Sequence, residues 1–393
     1  MIHTTARIVQ IIAVLGCVSS SAYYLICLWS AAAFLREPKA GTGARYTQPL
    51  PPVSILKPLK GTDPDIYESF RSHCLQDYPA EYEIIFGVSD PDDPAIAGVQ
   101  QLQREFPDRA IRLVVVPNKL GANVKVSNLE QMLPSARYQH LIVNDSDIRV
   151  EPDYLRRVIA PLLDNHVGMV TCLYRGVAAS TLGSRLESLG ISTDFCAGVL
   201  VARLLEGGLH FGLGSTLAFR RADLEITGGF RAIVDFLSDD YQLGHRIAGL
   251  GLQVVLSDVV VETHLPAYDI PGFLAHQLRW ARSVRDSRAG GYIGLVTTYG
   301  LMWSLLVLIV AHAAPWSWAV LCATLLLRLT VALVVGRFAL QDRMLLKHLW
   351  LLPLHDLVRG AVWIASFAGH TVMWRGDRFH LKDGRLSRIA PQD

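Results

Sequence analysis

The chain has 393 residues, 51% of them hydrophobic, with 37 basic and 35 acidic side chains for a formal net charge of +2. So even a balance gives no case for nucleic acid as the main partner, and the apolar fraction lies above a soluble average. Six cysteines without a CxxC pair exclude a disulfide scaffold or a zinc site, and they place the central domain in a reducing compartment.

The first element is a run without charged side chains, residues 8–35. It exceeds the roughly 20 apolar residues that cross a hydrocarbon core of about 30 Å. It also far exceeds the apolar core of about 7–15 residues in a signal peptide, so 1–40 reads as a membrane anchor that is kept.

Residues 41–265 then read as a catalytic-sized α/β domain. Short runs rich in β-branched residues at 53–59, 82–88, 111–116, 140–143 and 168–173 are expected as strands. Helical patterns at 69–75, 95–105, 125–133 and 154–163 lie between them. This alternation predicts a mostly parallel sheet with helices on both faces, whose ligand sits at the carboxyl ends of the strands.

Acids stand at those ends. The second strand runs into Asp90, Asp92 and Asp93, interleaved with prolines, a pattern that an ordinary turn also satisfies. The fourth runs into Asp145 and Asp147, two residues apart, whose carboxylates project the same way. Two like charges so close call for a cation. Carboxylate oxygens suit Mg²⁺ or Mn²⁺, with a diphosphate filling the remaining positions. Further on, Gly212 and Gly214 form only a weak GxG signal. Ser238-Asp239-Asp240 opens a helix and, read alone, is an N-cap with acids at the positive end of the dipole.

Residues 266–290 form a basic amphipathic stretch with Arg279, Arg282, Arg285 and Arg288, suited to anionic headgroups. Within it, His276-Gln277-Leu278-Arg279-Trp280 reads as interfacial anchoring; there Arg279 also suits a diphosphate and Trp280 the wall of an acceptor pocket. A second uncharged run, 290–327, breaks at 312–315 and predicts crossings near 292–311 and 316–336, with Arg328 facing a partner helix or snorkelling. Residues 344–374 read as a re-entrant or interfacial element, with a third crossing as the alternative. The basic tail, 375–393, prefers the cytoplasmic side, and the catalytic domain is expected on that same face.

These pieces together resemble membrane-bound glycosyltransferases of the ceramide glucosyltransferase type, whose bacterial relatives include hopanoid-modifying enzymes. The resemblance runs from Val53 to about Arg388 through ordered matches at 53–61, 77–79, 92–95, 145–150, Ser238-Asp239-Asp240-Tyr241, Arg279-Trp280 and Trp374-Arg375-Gly376. It implies a GT-A-type domain carrying a UDP-sugar beside the bilayer, in an integral protein of a bacterial inner membrane. Asp93 becomes the first key acid, with Asp90 or Asp92 beside uracil and ribose, and Lys57 and Lys60 help hold the nucleotide. Asp145 and Asp147 become the metal-diphosphate acids and Asp240 the catalytic base. Arg279-Trp280 closes the (Q/R)xxRW signature, whose leading position is His276 here, with Gln277 one place late. Where eukaryotic relatives carry a His-containing segment, this chain has Ser192-Thr193-Asp194.

The resemblance implies inverting transfer of glucose or N-acetylglucosamine from a UDP-sugar to a membrane lipid such as ceramide or a hopanoid. A processive polysaccharide synthase shares the acids and the RW signature but needs more helices to line a polymer channel. A silent nucleotide-binding scaffold would not require every acid.

Overall fold

The computed structural model describes residues 2–37, 49–374 and 377–389. The 40/41 boundary and the last two residues of Trp374-Arg375-Gly376 lie outside them. The chain divides into two units, an α/β unit of Pro38–Ala179, Leu205–Pro266 and Phe379–Asp393, and a helical unit of Met1–Glu37, Ser180–Leu204 and Ala267–Arg378.

In the α/β unit eight strands form one sheet: β1 (Val53–Pro58), β2 (Tyr82–Val88), β3 (Ala110–Val115), β4 (His140–Val143), β5 (Ile148–Arg149), β6 (Val167–Val177), β7 (Leu217–Arg220) and β8 (Gln253–His264). Their order is β3-β2-β1-β4-β7-β6-β8-β5. All five expected strands are present, and the expected helices stand at Ile66–Cys74, Ala95–Glu105, Val124–Met132 and Tyr154–Ile159. β1 and β2 are buried along their whole length, Lys57 in β1 and Glu83 in β2 included.

The sheet is mixed rather than parallel throughout. β1 pairs in parallel with β2 and β4, and β6 with β8, whereas β7 is antiparallel to both β4 and β6. After β1 the chain turns to one side for β2 and β3 and to the other for β4. The switch point therefore falls between β1 and β4, where a crevice opens at the carboxyl ends of strands. The loops after Pro58 and Val143 occupy that place.

The segment expected as a basic tail is ordered β structure. Phe379 to Lys382 pairs antiparallel with Arg385–Arg388. The hairpin is fastened by Leu237 N–H to Gly384 O (3.0 Å), Leu386 N–H to Asp235 O (2.7 Å) and the Arg385 guanidinium 4.5 Å from the Phe236 ring.

In the helical unit, three helices are long and apolar enough to cross a membrane: Thr4–Arg36, Leu182–Leu205 and Pro315–Ala339. A pair bent by 51°, Ala289–Thr298 and Gly300–Val310, would add a fourth span. Leu182–Leu205 was not expected, because Arg185, Glu187, Asp194 and Arg203 interrupt its apolar character. Helix packing is close where side chains are small. A Cβ on Gly16 would lie 2.2 Å from the Trp303 ring, so only glycine lets the first helix approach Gly300–Val310 this tightly. Arg328 faces a partner: its guanidinium donates to Asp356 at 2.8 and 2.9 Å and to Thr193 O at 3.1 Å.

Candidate active site

Acids from remote parts of the α/β unit meet at the switch point. Asp145 and Asp147 follow β4, and Asp239 and Asp240 occupy the first turn of helix Asp239–Gly249. Gly214, in the loop before β7, fixes their proximity. A Cβ placed there would lie 2.9 Å from Asp145 Oδ2, 3.4 Å from Asp240 Oδ2 and 3.7 Å from Lys125 Nζ. Any side chain at 214 would press on the Asp145 carboxylate and touch the other two groups.

Lys125 links the two acidic segments. Its ammonium lies 2.7 Å from Asp145 Oδ1 and 2.9 Å from Asp239 Oδ2. Burial alone would lower its pKa, but the charges of Asp145, Asp239 and Asp240 hold it above its ordinary value. Nothing local marks this role, since a lone lysine early in a helix reads as a surface residue. Asn123 sets the position, capping helix Val124–Met132 by accepting from Val126 N–H at 3.1 Å.

Asp240 is held by two amides: Gly214 N–H donates to Oδ2 (2.9 Å) and Tyr241 N–H to Oδ1 (2.7 Å). Burial and the neighbouring Asp239 push its pKa up to about 6, against the pull of Lys125. Ser238 makes no side-chain cap at this helix. Burial and the charge of Asp145 likewise raise Asp147 to about 6, although Thr263 Oγ1 donates to its Oδ2 at 2.5 Å.

The floor is Lys57, fully buried in β1, whose Nζ donates to the carbonyl of Asp145 at 3.0 Å. Burial lowers its ammonium to about 7 in spite of nearby Asp147, Asp145 and Asp63. Lys60 is exposed. The 61–65 loop is strapped over the motif: Ser146 Oγ donates to Asp63 Oδ2 (2.5 Å), and His264 Nδ1 lies 3.0 Å from Asp65 Oδ2. Neither Asp63 nor Asp65 stood out in the sequence.

Asp93 is buried, and its carboxylate accepts from Gly61 N–H at 2.9 and 3.1 Å and from Ala95 N–H at 2.9 Å. It ties the turn after β2 to the loop after β1. Asp90 and Asp92 are exposed on that turn, with Asp90 Oδ1 accepting from Asp92 N–H. Among the described residues, no three His, Cys, Asp or Glu side chains group as a metal site.

The (Q/R)xxRW residues belong to the helical unit, on helix Ile270–Ser287. There His276 stacks on Tyr268 with ring centroids 5.3 Å apart, and Trp280 meets Phe195 edge-on at 5.5 Å. Gln277 Nε2 donates to Glu187 at 2.6 Å.

Comparison with a solved structure supports the architecture. A mannosyltransferase from Pyrobaculum calidifontis, determined with GDP-Man and Mn²⁺, superposes with a TM-score of 0.57 at 21% identity, covering 92% of this chain and 98% of that one. The fold is that of a GT-A-type glycosyltransferase joined to apolar helices of a membrane protein.

Residues 12–387 match glycosyl transferase family 21, and the chain belongs to that family. It is 22% identical over 350 residues to ceramide glucosyltransferase 3 of Caenorhabditis elegans, covering 85% of this chain and 74% of the relative. It is 21% identical over 396 residues to ceramide glucosyltransferase 1 of the same organism (97% and 82%). A shorter stretch of 132 residues is 35% identical to the ceramide glucosyltransferase of Komagataella phaffii (31% and 26%). The chain is thus a glycosyltransferase, similar throughout most of its length to enzymes named for ceramide glucosylation.

Proposed function

We propose that this protein transfers glucose or N-acetylglucosamine from a UDP-sugar to the hydroxyl of a membrane lipid, ceramide or a hopanoid, with inversion at the anomeric carbon. The observation that carries the reading is Asp240, a carboxylate raised to about 6 beside Asp145 and Lys125. An alcohol is a weak nucleophile. As its oxygen bonds to the sugar and the bond to UDP breaks, Asp240 takes the hydroxyl proton, a contribution of about 10²–10⁴ in rate. A base with a pKa near 6 is ionised at neutral pH and still basic enough to accept that proton.

The departing UDP gains charge. Lys125 and the buried Lys57 supply positive charge around the Asp145–Asp147 motif, fixed before reaction and therefore effective. The donor set at Asp145 and Asp147 is all oxygen and fits a hard divalent ion. With only two carboxylates, the diphosphate must provide the rest of the coordination. When bound, such an ion supplies Lewis-acid neutralisation of the diphosphate. Asp90 and Asp92, exposed on their turn, suit the uracil and ribose, with Asp93 holding the turn in place. Lys60 lies one residue before Gly61, the residue Asp93 grips. Arg279 serves the diphosphate, and Trp280, with His276 and Gln277, serves the acceptor side.

The reading puts the α/β unit on the cytoplasmic face of a bacterial inner membrane, the side that basic segments prefer, and connectivity bears on the number of crossings. The chain leaves β6 for helix Leu182–Leu205 and returns to the α/β unit, so that helix cannot carry the chain to the far side. The C-terminal hairpin also belongs to the α/β unit, so crossings between Pro266 and Phe379 are even in number. The bent pair and Pro315–Ala339 make two, and 344–374 is then interfacial or re-entrant.

Purified protein incubated with Mn²⁺, UDP-glucose or UDP-N-acetylglucosamine and either ceramide or a hydroxylated hopanoid is expected to yield a lipid heavier by one sugar in mass spectra. EDTA is expected to abolish transfer, with recovery on adding Mn²⁺ or Mg²⁺. A polymer ladder would favour a processive synthase. Absence of transfer from either UDP-sugar to any lipid extract would refute the proposal.

A further inference from the structure

Glu187 is a carboxylate placed where an apolar residue would be cheaper. It sits in the Leu182–Leu205 helix, one of those apolar enough to span a membrane, and is only 3% exposed. Taking a carboxylate out of water costs stability unless its partners offset the lost hydration. Helix contact alone does not need it. Gly183, one turn earlier, already lets this helix approach the start of Ile270–Ser287: a Cβ there would lie 2.7 Å from Tyr268 O and 2.9 Å from Asp269 O.

Its contacts point to one place. Gln277 Nε2 donates to Glu187 Oε2 at 2.6 Å, and His276 Nδ1 lies 3.4 Å from the same oxygen. These two residues open the signature in which this chain departs from the family spacing. One turn later Trp280 rests against Phe195, which follows Glu187 on the same strut. Between Glu187 and Phe195 the helix is π-helical, at Ile191–Phe195, and there its side chains are pinned from several directions. Ser192 Oγ donates to Asp342 (2.8 Å), and Asp194 pairs with Arg359 (2.7 Å). The carboxylate therefore projects from a firmly held segment, as an anchor must to fix a partner within tenths of an ångström.

We infer that Glu187 is a positioning residue for the acceptor: it fixes His276 and Gln277, and through that turn Trp280, in the orientation that receives the lipid hydroxyl. This rests on the acceptor role proposed above for that signature. It places the specificity of the altered signature in a residue far upstream, and it separates acceptor handling from donor handling within one enzyme.

The test uses the full-length protein in detergent with UDP-glucose and a short-chain ceramide. E187A is expected to raise the acceptor KM at least tenfold while the KM for UDP-glucose, and UDP-glucose hydrolysis without acceptor, stay within twofold of wild type. E187Q, which keeps a carbonyl oxygen for the Gln277 amide, is expected to recover most of the loss; if E187A does not fold, E187M, which fills the space without an acceptor for that amide, carries the test with the same expected rise in acceptor KM. The E187A and Q277A effects on acceptor KM should be strongly non-additive in a double-mutant cycle. Equal losses on donor and acceptor, additive effects, or a wild-type acceptor KM in both variants would overturn the assignment. A wild-type enzyme that glucosylates no lipid would overturn both this inference and the function beneath it, and the unmutated control shows that case directly.

Discussion

The two units differ in how fully they pair their buried charge. In the helical unit Arg328 is 3% exposed and meets Asp356 through three hydrogen bonds, while Arg359 pairs with Asp194. In the α/β unit Lys125 is paired likewise, with Asp145 and Asp239, but three neighbouring ionised forms are poorly accommodated. Asp147 and Asp240 are both pushed up to about 6, and Lys57 is pushed down to about 7. Paired charges hold helices in register; poorly matched ones wait for a charged ligand or a proton. The contrast separates scaffold from site without reference to any relative.

The contrast is broken first at Asp240. D240N should lower turnover by about 10²–10⁴ while UDP-sugar binding, measured by calorimetry, stays near wild type. Near-normal turnover would remove Asp240 as the base. Stability offers the next largest effect. R328L leaves buried Asp356 without its guanidinium partner and should cost about 3–5 kcal/mol, seen as a large fall in melting temperature. D147N should do the reverse. An acid whose folded pKa exceeds its unfolded value of about 3.9 binds protons more tightly in the fold, so its stabilising share is lost as pH rises from about 3.9 through about 6. At pH 8, D147N is therefore expected to melt at or above the wild-type temperature, and at pH 4 it should show no such gain. The smallest effect is the pH profile. Turnover should fall on acidification below about 6 as Asp240 is protonated, close to tenfold per pH unit, and be nearly flat above 7.

The parallel half of the sheet was legible because its strands are short, largely apolar runs rich in β-branched residues between helical patterns. The second half was less so. β7 is four residues long and directly follows a glycine-rich loop, and β8 carries Ser257, Asp258 and Glu262 along its length. The Leu182–Leu205 helix was hidden by the charges that its packing neutralises. Among site residues, Asp145, Asp147 and Asp240 are signalled by acids at strand and helix ends. Lys125 and Glu187 carry no such local mark, because what makes each unusual is a partner remote in sequence. Asp93 shows the converse. Its motif is conspicuous, yet its carboxylate is engaged by backbone amides of Gly61 and Ala95.

Under the proposed function, Asp240 as the lone base beside a diphosphate held at Asp145 and Asp147 requires a single displacement, with the lipid oxygen entering opposite the departing UDP. Proton NMR of the glycolipid formed from an α-linked UDP-sugar reads that geometry in the anomeric coupling constant. A β-linked product is the result expected here. An α-linked product would mean two displacements or a front-face route, and Asp240 could not then act as the lone base described.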